Sequence, residues 1–208
     1  MLENLEVLCH NSIKITGSKV IYVDPFRIKE NYKDADYIFC THSHYDHFSK
    51  EDIEKLLKDT TKIITVESSK EEAIEIVGNE RVIIVEPDNE YNVDNIYFET
   101  TYSYNIDKNF HPKENKWVGF IINLDGTKYY IAGDTDNIPE IQNIKCDVAL
   151  LPVGGTYTMT VKEAAELATT VNAKYVIPTH YGEIVGEKTD GSKFAELVAN
   201  KEVLIKIK

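Results

Sequence analysis

Apolar positions come in short runs at the start of the chain: LEVLC at 5–9, SIKIT at 12–16 and KVIYV at 19–23. Runs of this length between turn residues predict strands, and Gly17-Ser18 predicts a tight hairpin between the second and third. ADYIFCT at 35–41 reads as a buried strand. From Ser49 or Lys50 the period changes: Ile53, Leu56 and Leu57 recur at spacings of three and four, which predicts a helix through about Lys58. KIITV at 62–66 predicts a strand, and SKEEAIEIV at 69–77 a second amphipathic helix.

Further strands are predicted at RVIIV (81–85), NIYFETTYS (95–103), WVGFIINL (117–124), KYYIAG (128–133) and DVALLPV (147–153), with Asp125-Gly126 as a hairpin turn. Thr160 and Glu163 match a capping box, in which each side chain takes up a backbone amide of the other, so a helix should run to about Val171. KYVIPTH at 174–180 is a buried strand ending in a histidine, and a helix near 191–199 and the strand EVLIKI close the chain. Strands with helices in each half, and no linker, predict one α/β domain over 1–208 with two sheets packed face to face and helices outside.

Composition adds limits. The chain has 208 residues, 42% of them apolar, and a formal charge of −12. That is a globular composition, and its charge opposes long-range attraction to nucleic acid or anionic lipid. A small-molecule substrate is the expected partner, with no nucleic acid and no membrane, and self-association into a homo-oligomer stays open. Cys9, Cys40 and Cys146 are far apart and each lies in an apolar run, as reduced core residues do. The start, MLENLEVLCH, is acidic where a signal peptide is basic, and no apolar run approaches the length of a membrane span, so the expected location is cytoplasmic.

The chemistry gathers in CTHSHYDHFS at 40–49, which holds three of the six histidines of the chain. Alternate residues of an extended segment point the same way, so His42 and His44 can reach one cation from one side. Asp46 and His47 follow as the chain turns and can reach a second. A pair of cations needs more donors, and His111 in FHPK, Asp134 in IAGDTD and His180 in KYVIPTH are the remaining candidates, each at or just beyond an apolar run. A carboxylate at Asp134 could bridge two cations, and Gly133 before it leaves room for close backbone approach.

These residues resemble the metallo-β-lactamase superfamily, whose His-x-His-x-Asp-His signature is HSHYDH at 42–47 here. The resemblance covers nearly the whole chain. Within the superfamily the sequence is similar to the small metal-dependent hydrolases that include the ascorbate-6-phosphate lactonase-like proteins. It shares with them SYN at 103–105, FHPKENKWVGF at 110–120, AGDTD at 132–136, LLPVGGTYTMT at 150–160 and PTHYGEIVG at 178–186. The resemblance implies an αββα sandwich of two mixed β-sheets flanked by helices, with the site at one edge. It implies two divalent metal ions, one on His42, His44 and His111, the other on Asp46, His47 and His180, with Asp134 bridging. Asp24 in VDPF resembles the aspartate that braces the histidine loop in the family. Where the family has glycine-histidine-alanine-serine, this chain has LCHNS at 8–12, which leaves His10 either a histidine supporting the site or one hydrogen-bonded at a strand turn.

The implied activity is a metal-dependent hydrolase in which a hydroxide bridging two metal ions attacks an ester, lactone, amide or phosphodiester of a small, anionic or neutral, substrate. Asp46 is expected to act catalytically as well as to bind metal, by orienting the proton of the nucleophile. Lys113, Tyr181 and the hydroxyls of Thr156 to Thr160 are candidates for the pocket wall. Diiron relatives that transfer electrons carry a carboxylate where His44 stands and have a flavin domain, which argues for hydrolysis here. The alternative from another class is a non-catalytic metal-bound sensor or interaction protein on the same fold. Imidazole and carboxylate without thiolate suit Zn first, then Mn, with Fe compatible.

Overall fold

The structure is a computed structural model that describes residues 2–207. Residues up to Glu86 form one compact unit and those from Pro87 a second. Each unit is built from one mixed sheet with helices packed on it.

In the first unit, β1 (Leu5–Cys9), β2 (Ser12–Thr16), β3 (Val20–Val23), β4 (Ala35–Phe39), β5 (Leu57–Thr65) and β6 (Val82–Ile84) form a 6-stranded sheet in chain order. The pairs β1–β2 and β2–β3 are antiparallel, and β3 through β6 run parallel. Helices α1 (Lys50–Leu56) and α2 (Lys70–Val77) make the crossovers. Their apolar faces, Ile53 and Leu56 on one and Ala73 and Val77 on the other, pack with Tyr22, Ile38, Cys40 and Ile63 of the sheet.

The second unit repeats this plan. Strands β7 (Glu90–Val93), β8 (Ile96–Tyr102), β9 (Val118–Leu124) and β10 (Thr127–Ile131) are antiparallel, after which β11 (Val148–Pro152), β12 (Tyr175–Thr179) and β13 (Glu202–Val203) run parallel to β10. Helix α3 (Val161–Thr170) begins on the expected capping box, with Thr160 and Glu163 bonded in both directions. It packs with α4 (Asp190–Leu197) over a core that includes Ala149, Leu151, Val176, Leu167 and Phe194. Asp125-Gly126 forms the expected two-residue turn, both residues at positive φ (51° and 79°) between the paired Leu124 and Thr127.

The differences from the sequence reading have local causes. Leu57 leaves the helix and starts β5, because Lys58 N donates to Thr61 Oγ1 and Thr61 Oγ1 donates to Ala35 O, which ties this stretch to the sheet edge. The hairpin at Gly17 takes in Lys19, since Thr16 pairs with Val20 and Val20 N is held by the Asp36 carboxylate. Strand β7 was not anticipated; only Tyr91 and Val93 of its four residues are apolar.

Asp52 ties the start of α1 to the loop after β3. Burial works to raise its pKa, but hydrogen bonds from Lys55, Ser49 and the amides of Arg27 and Ile28 outweigh this and hold the carboxyl below its usual value. A carboxyl depressed in the folded state adds stability above its unfolded pKa of ~3.9, and this is lost as pH falls through the folded value. Asp52→Asn is therefore expected to lower stability by about 2 kcal/mol at neutral pH. In urea unfolding followed from pH 7 to pH 2, the gap to wild type should close on the acid side; a constant gap would show that charge is not the cause.

Candidate metal-binding residues

In both units the chemistry-bearing side chains follow the carboxyl ends of parallel strands, the edge where α/β folds collect ligands. In the first unit Asp24 follows β3 and the segment from His42 to His47 follows β4; in the second, Asp134 follows β10 and His180 follows β12. His111 comes from the loop between β8 and β9.

The histidine segment turns sharply because His47 N and Phe48 N both donate to His44 O, after which Ser49 caps α1 by accepting from Asp52 N. The turn brings His42 Nε2 to 3.1 Å from His44 Nδ1, and His47 Nε2 to 3.5 Å from Asp46 Oδ2. Tyr45, which alternates with these residues, points out at 66% exposure.

Asp24 is fully buried and lies beneath this segment. It accepts from Thr41 N (2.8 Å), Thr41 Oγ1 (2.8 Å), Asn11 Nδ2 (2.8 Å) and His47 Nδ1 (2.7 Å). These contacts decide two tautomers. His47 donates from Nδ1, so its Nε2 carries the lone pair. The Thr41 hydroxyl proton is committed to Asp24, so His42 Nδ1 donates to Thr41 Oγ1 at 2.9 Å and its Nε2 also carries the lone pair. The expected bracing aspartate is thus in place, and Asn11, where the sequence departs from the resemblance, serves it.

The second unit uses the same device with an amide. Asn105 Nδ2 donates to Asp136 Oδ1 and to Tyr157 O, so its Oδ1 is the acceptor that faces His111. His111 donates to it from both N and Nδ1, at 3.1 and 3.0 Å, and presents Nε2 to Asp134 Oδ2 at 3.2 Å. His180 Nε2 lies 3.1 Å from the same oxygen. Ser103 Oγ donates to Asp134 O and holds the backbone there. His180 takes a positive φ of 59°, and a Cβ on Gly154 would stand 2.3 Å from His180 O, so only glycine lets the end of β11 lie against it.

These distances also fit donor atoms gathered around a cation. Metal–donor bonds of about 2.0–2.1 Å at tetrahedral angles put neighbouring donor atoms about 3.3 Å apart. The lone-pair Nε2 of His111 faces a carboxylate oxygen at 3.2 Å, and that of His47 faces another at 3.5 Å. A proton on the ring or a cation between ring and carboxylate would each offset their repulsion. The donor set, imidazole and carboxylate without thiolate, is one for a divalent transition metal.

The structure brings together His42, His44, Asp46 and His47 in the first unit and His111, Asp134 and His180 in the second. His111 is held by two hydrogen bonds to Asn105. Lys113 is on the surface, its Nζ bonded to Glu140 and above the Tyr102 and Tyr104 rings. Tyr181 lies in the core under Gly191 of α4, and burial followed by the Asp190 charge raises its pKa. A cavity of about 580 Å³ opens beside the His111 loop, lined by Tyr104, Asn105, Ile106, Lys108 and Lys113 among others. Thr41, Asn105 and Gly154 were not singled out from sequence; each acts through a neighbour that was.

Two mixed sheets with helices, and imidazole–carboxylate sets at strand ends, define a protein of the metallo-β-lactamase fold. Residues 4–180 match the Beta-lactamase superfamily domain. The chain is 30% identical over 224 residues to a UPF0173 metal-dependent hydrolase of Pyrococcus abyssi, covering 98% of this chain and 96% of that one. Among solved structures, a protein of Parabacteroides distasonis superposes with a TM-score of 0.82 at 28% identity, over 98% of this chain and 93% of that one. A member of the metallo-β-lactamase superfamily from Thermotoga maritima gives 0.64 at 23% identity, over 98% of both chains. The chain belongs to the β-lactamase superfamily and, within it, to the UPF0173 metal-dependent hydrolases. Among the described residues no helix is long and apolar enough to cross a membrane.

Proposed function

We propose that this chain hydrolyses an ester, lactone or phosphodiester of a small substrate in the cytoplasm, using two divalent ions with zinc as the first choice. The ligand division is the one the resemblance implies: His42, His44 and His111 on one ion, Asp46, His47 and His180 on the other, Asp134 on both. Bound there, such ions would lower the pKa of a coordinated water toward neutrality and supply a hydroxide nucleophile.

The observation that carries this reading is the pair of lone-pair imidazoles turned onto carboxylate oxygens, His111 on Asp134 and His47 on Asp46. The protein's own residues do the positioning. Asp24 and Asn105 orient the rings, and Asp46 Oδ2, beside His47, would accept and orient a proton of the attacking water.

The test is a screen of the metal-reconstituted protein against lactones, thioesters and phosphodiesters, with His42→Ala alongside. Turnover that falls by at least about a hundredfold in the variant is the expected result. A blank panel from protein carrying its full metal complement would point to a sensor instead, and a protein that takes up no zinc or manganese would overturn the reading altogether.

A further inference from the structure

Hairpin turns are usually exposed and filled by asparagine, aspartate or glycine. The turn between β1 and β2 breaks the first habit throughout and the second at His10. His10 and Asn11 make it, and His10, Asn11 and Ser12 are 0%, 1% and 0% exposed. His10 takes a φ of 54°, a left-handed conformation that a side chain with a Cβ adopts at a cost of about 1 kcal/mol. A histidine held there, fully buried, is held for its ring.

The ring is aimed at the histidine segment. His10 Nε2 lies 3.3 Å from Asp46 Oδ2, the oxygen that His47 Nε2 approaches at 3.5 Å. Ligand atoms of His10, Asp46 and His47 lie within 4.8 Å of one another. Phe26, 6.4 Å away between ring centroids, forms one wall beside the imidazole. The next residue, Asn11, bonds Asp24, so the turn is anchored to the carboxylate that orients His47. Two imidazoles around one carboxylate oxygen is also the arrangement in the second unit, where His111 and His180 stand 3.2 and 3.1 Å from Asp134 Oδ2.

We propose that His10 is a metal ligand, binding a divalent cation through Nε2 together with Asp46 Oδ2 and His47 Nε2. The separation from Asp46 matches the donor–donor edge of about 3.3 Å in a tetrahedral site. The proposal rests on the metal-binding reading above but adds a donor that the ligand division there leaves out.

The test compares the full-length protein with His10→Asn, which tolerates the left-handed turn but is too short to reach Asp46, and with His10→Ala. Zinc affinity is read by competition with a chromophoric chelator, and cobalt(II) added in place of zinc reports the ligand set through its visible bands. The expected result is one ion weakened by more than about a hundredfold, beyond the ~10–100-fold that loss of a mere supporting partner brings, together with altered cobalt bands. Unchanged cobalt bands overturn ligation by His10, whatever the affinity does, and so does unchanged binding of both ions. If His10→Ala fails to fold, His10→Asn gives the same readout. A wild-type protein that binds no ion would overturn the metal reading itself, a result distinct from normal binding by wild type and variants alike.

Discussion

Asp134→Ala is expected to abolish hydrolysis and to leave the protein with less than its full metal content. The residue is 3% exposed, and one of its oxygens stands 3.2 Å from His111 Nε2 and 3.1 Å from His180 Nε2. Alanine removes the carboxylate that approaches both of those buried imidazoles. Loss of a supporting partner lowers metal affinity by ~10–100-fold; loss of the residue that the proposed function gives to both ions should exceed that. Turnover should fall by at least about a thousandfold, because in the proposed function the metal and its bound water depend on this residue. Metal analysis after dialysis, with turnover measured at added zinc, checks it. Full metal content in the variant would remove Asp134 from the ligand set. Stability should change much less, since Ser103 holds the local backbone through Asp134 O, an interaction alanine keeps.

The distribution of what sequence could and could not show follows from the range of the interactions. The strands and helices with apolar periodicity were legible, as were the Asp125-Gly126 turn and the capping box at Thr160, because each is decided by neighbours in sequence. The start of β5 was not, because it depends on Thr61 reaching Ala35, 26 positions away. Strand β7 was not, because its partner β8 and not its own composition makes it a strand.

The site divides in the same manner. His42, His44, Asp46 and His47 declare themselves by spacing within one turn. What orients His47, and His42 through Thr41, is Asp24, reached across 23 positions from His47, with Asn11 beside it. In the second unit Asn105 does this for His111 from only six positions away, yet an asparagine in a loop carries no signature of the role. His10 was ambiguous for the same reason: its burial and backbone conformation, which set it apart from an ordinary turn histidine, are properties of the folded chain.

That dependence makes Asp24 the residue whose loss should be felt most in stability. Asp24→Ala leaves Asn11 Nδ2, Thr41 N, Thr41 Oγ1 and His47 Nδ1 without their shared acceptor in a fully buried position. Each stranded buried donor costs about 1–3 kcal/mol, though neighbours sharing one partner do not add fully. Alanine at a φ of 46° adds about 1 kcal/mol of strain. A loss of about 4 kcal/mol in urea unfolding is expected, enough to unfold a marginal domain. Asp24→Asn separates bracing from backbone strain, since asparagine tolerates the left-handed conformation and can still accept from Thr41 N. Its amide nitrogen, placed where Oδ2 was, would oppose the donors of Asn11, Thr41 and His47 and drive the His47 proton to Nε2, the atom that the proposed function gives to metal. Asp24→Asn should therefore bind zinc ~10–100-fold more weakly while losing less stability than Asp24→Ala. If it bound zinc as wild type does, the tautomer of His47 would not be what Asp24 controls.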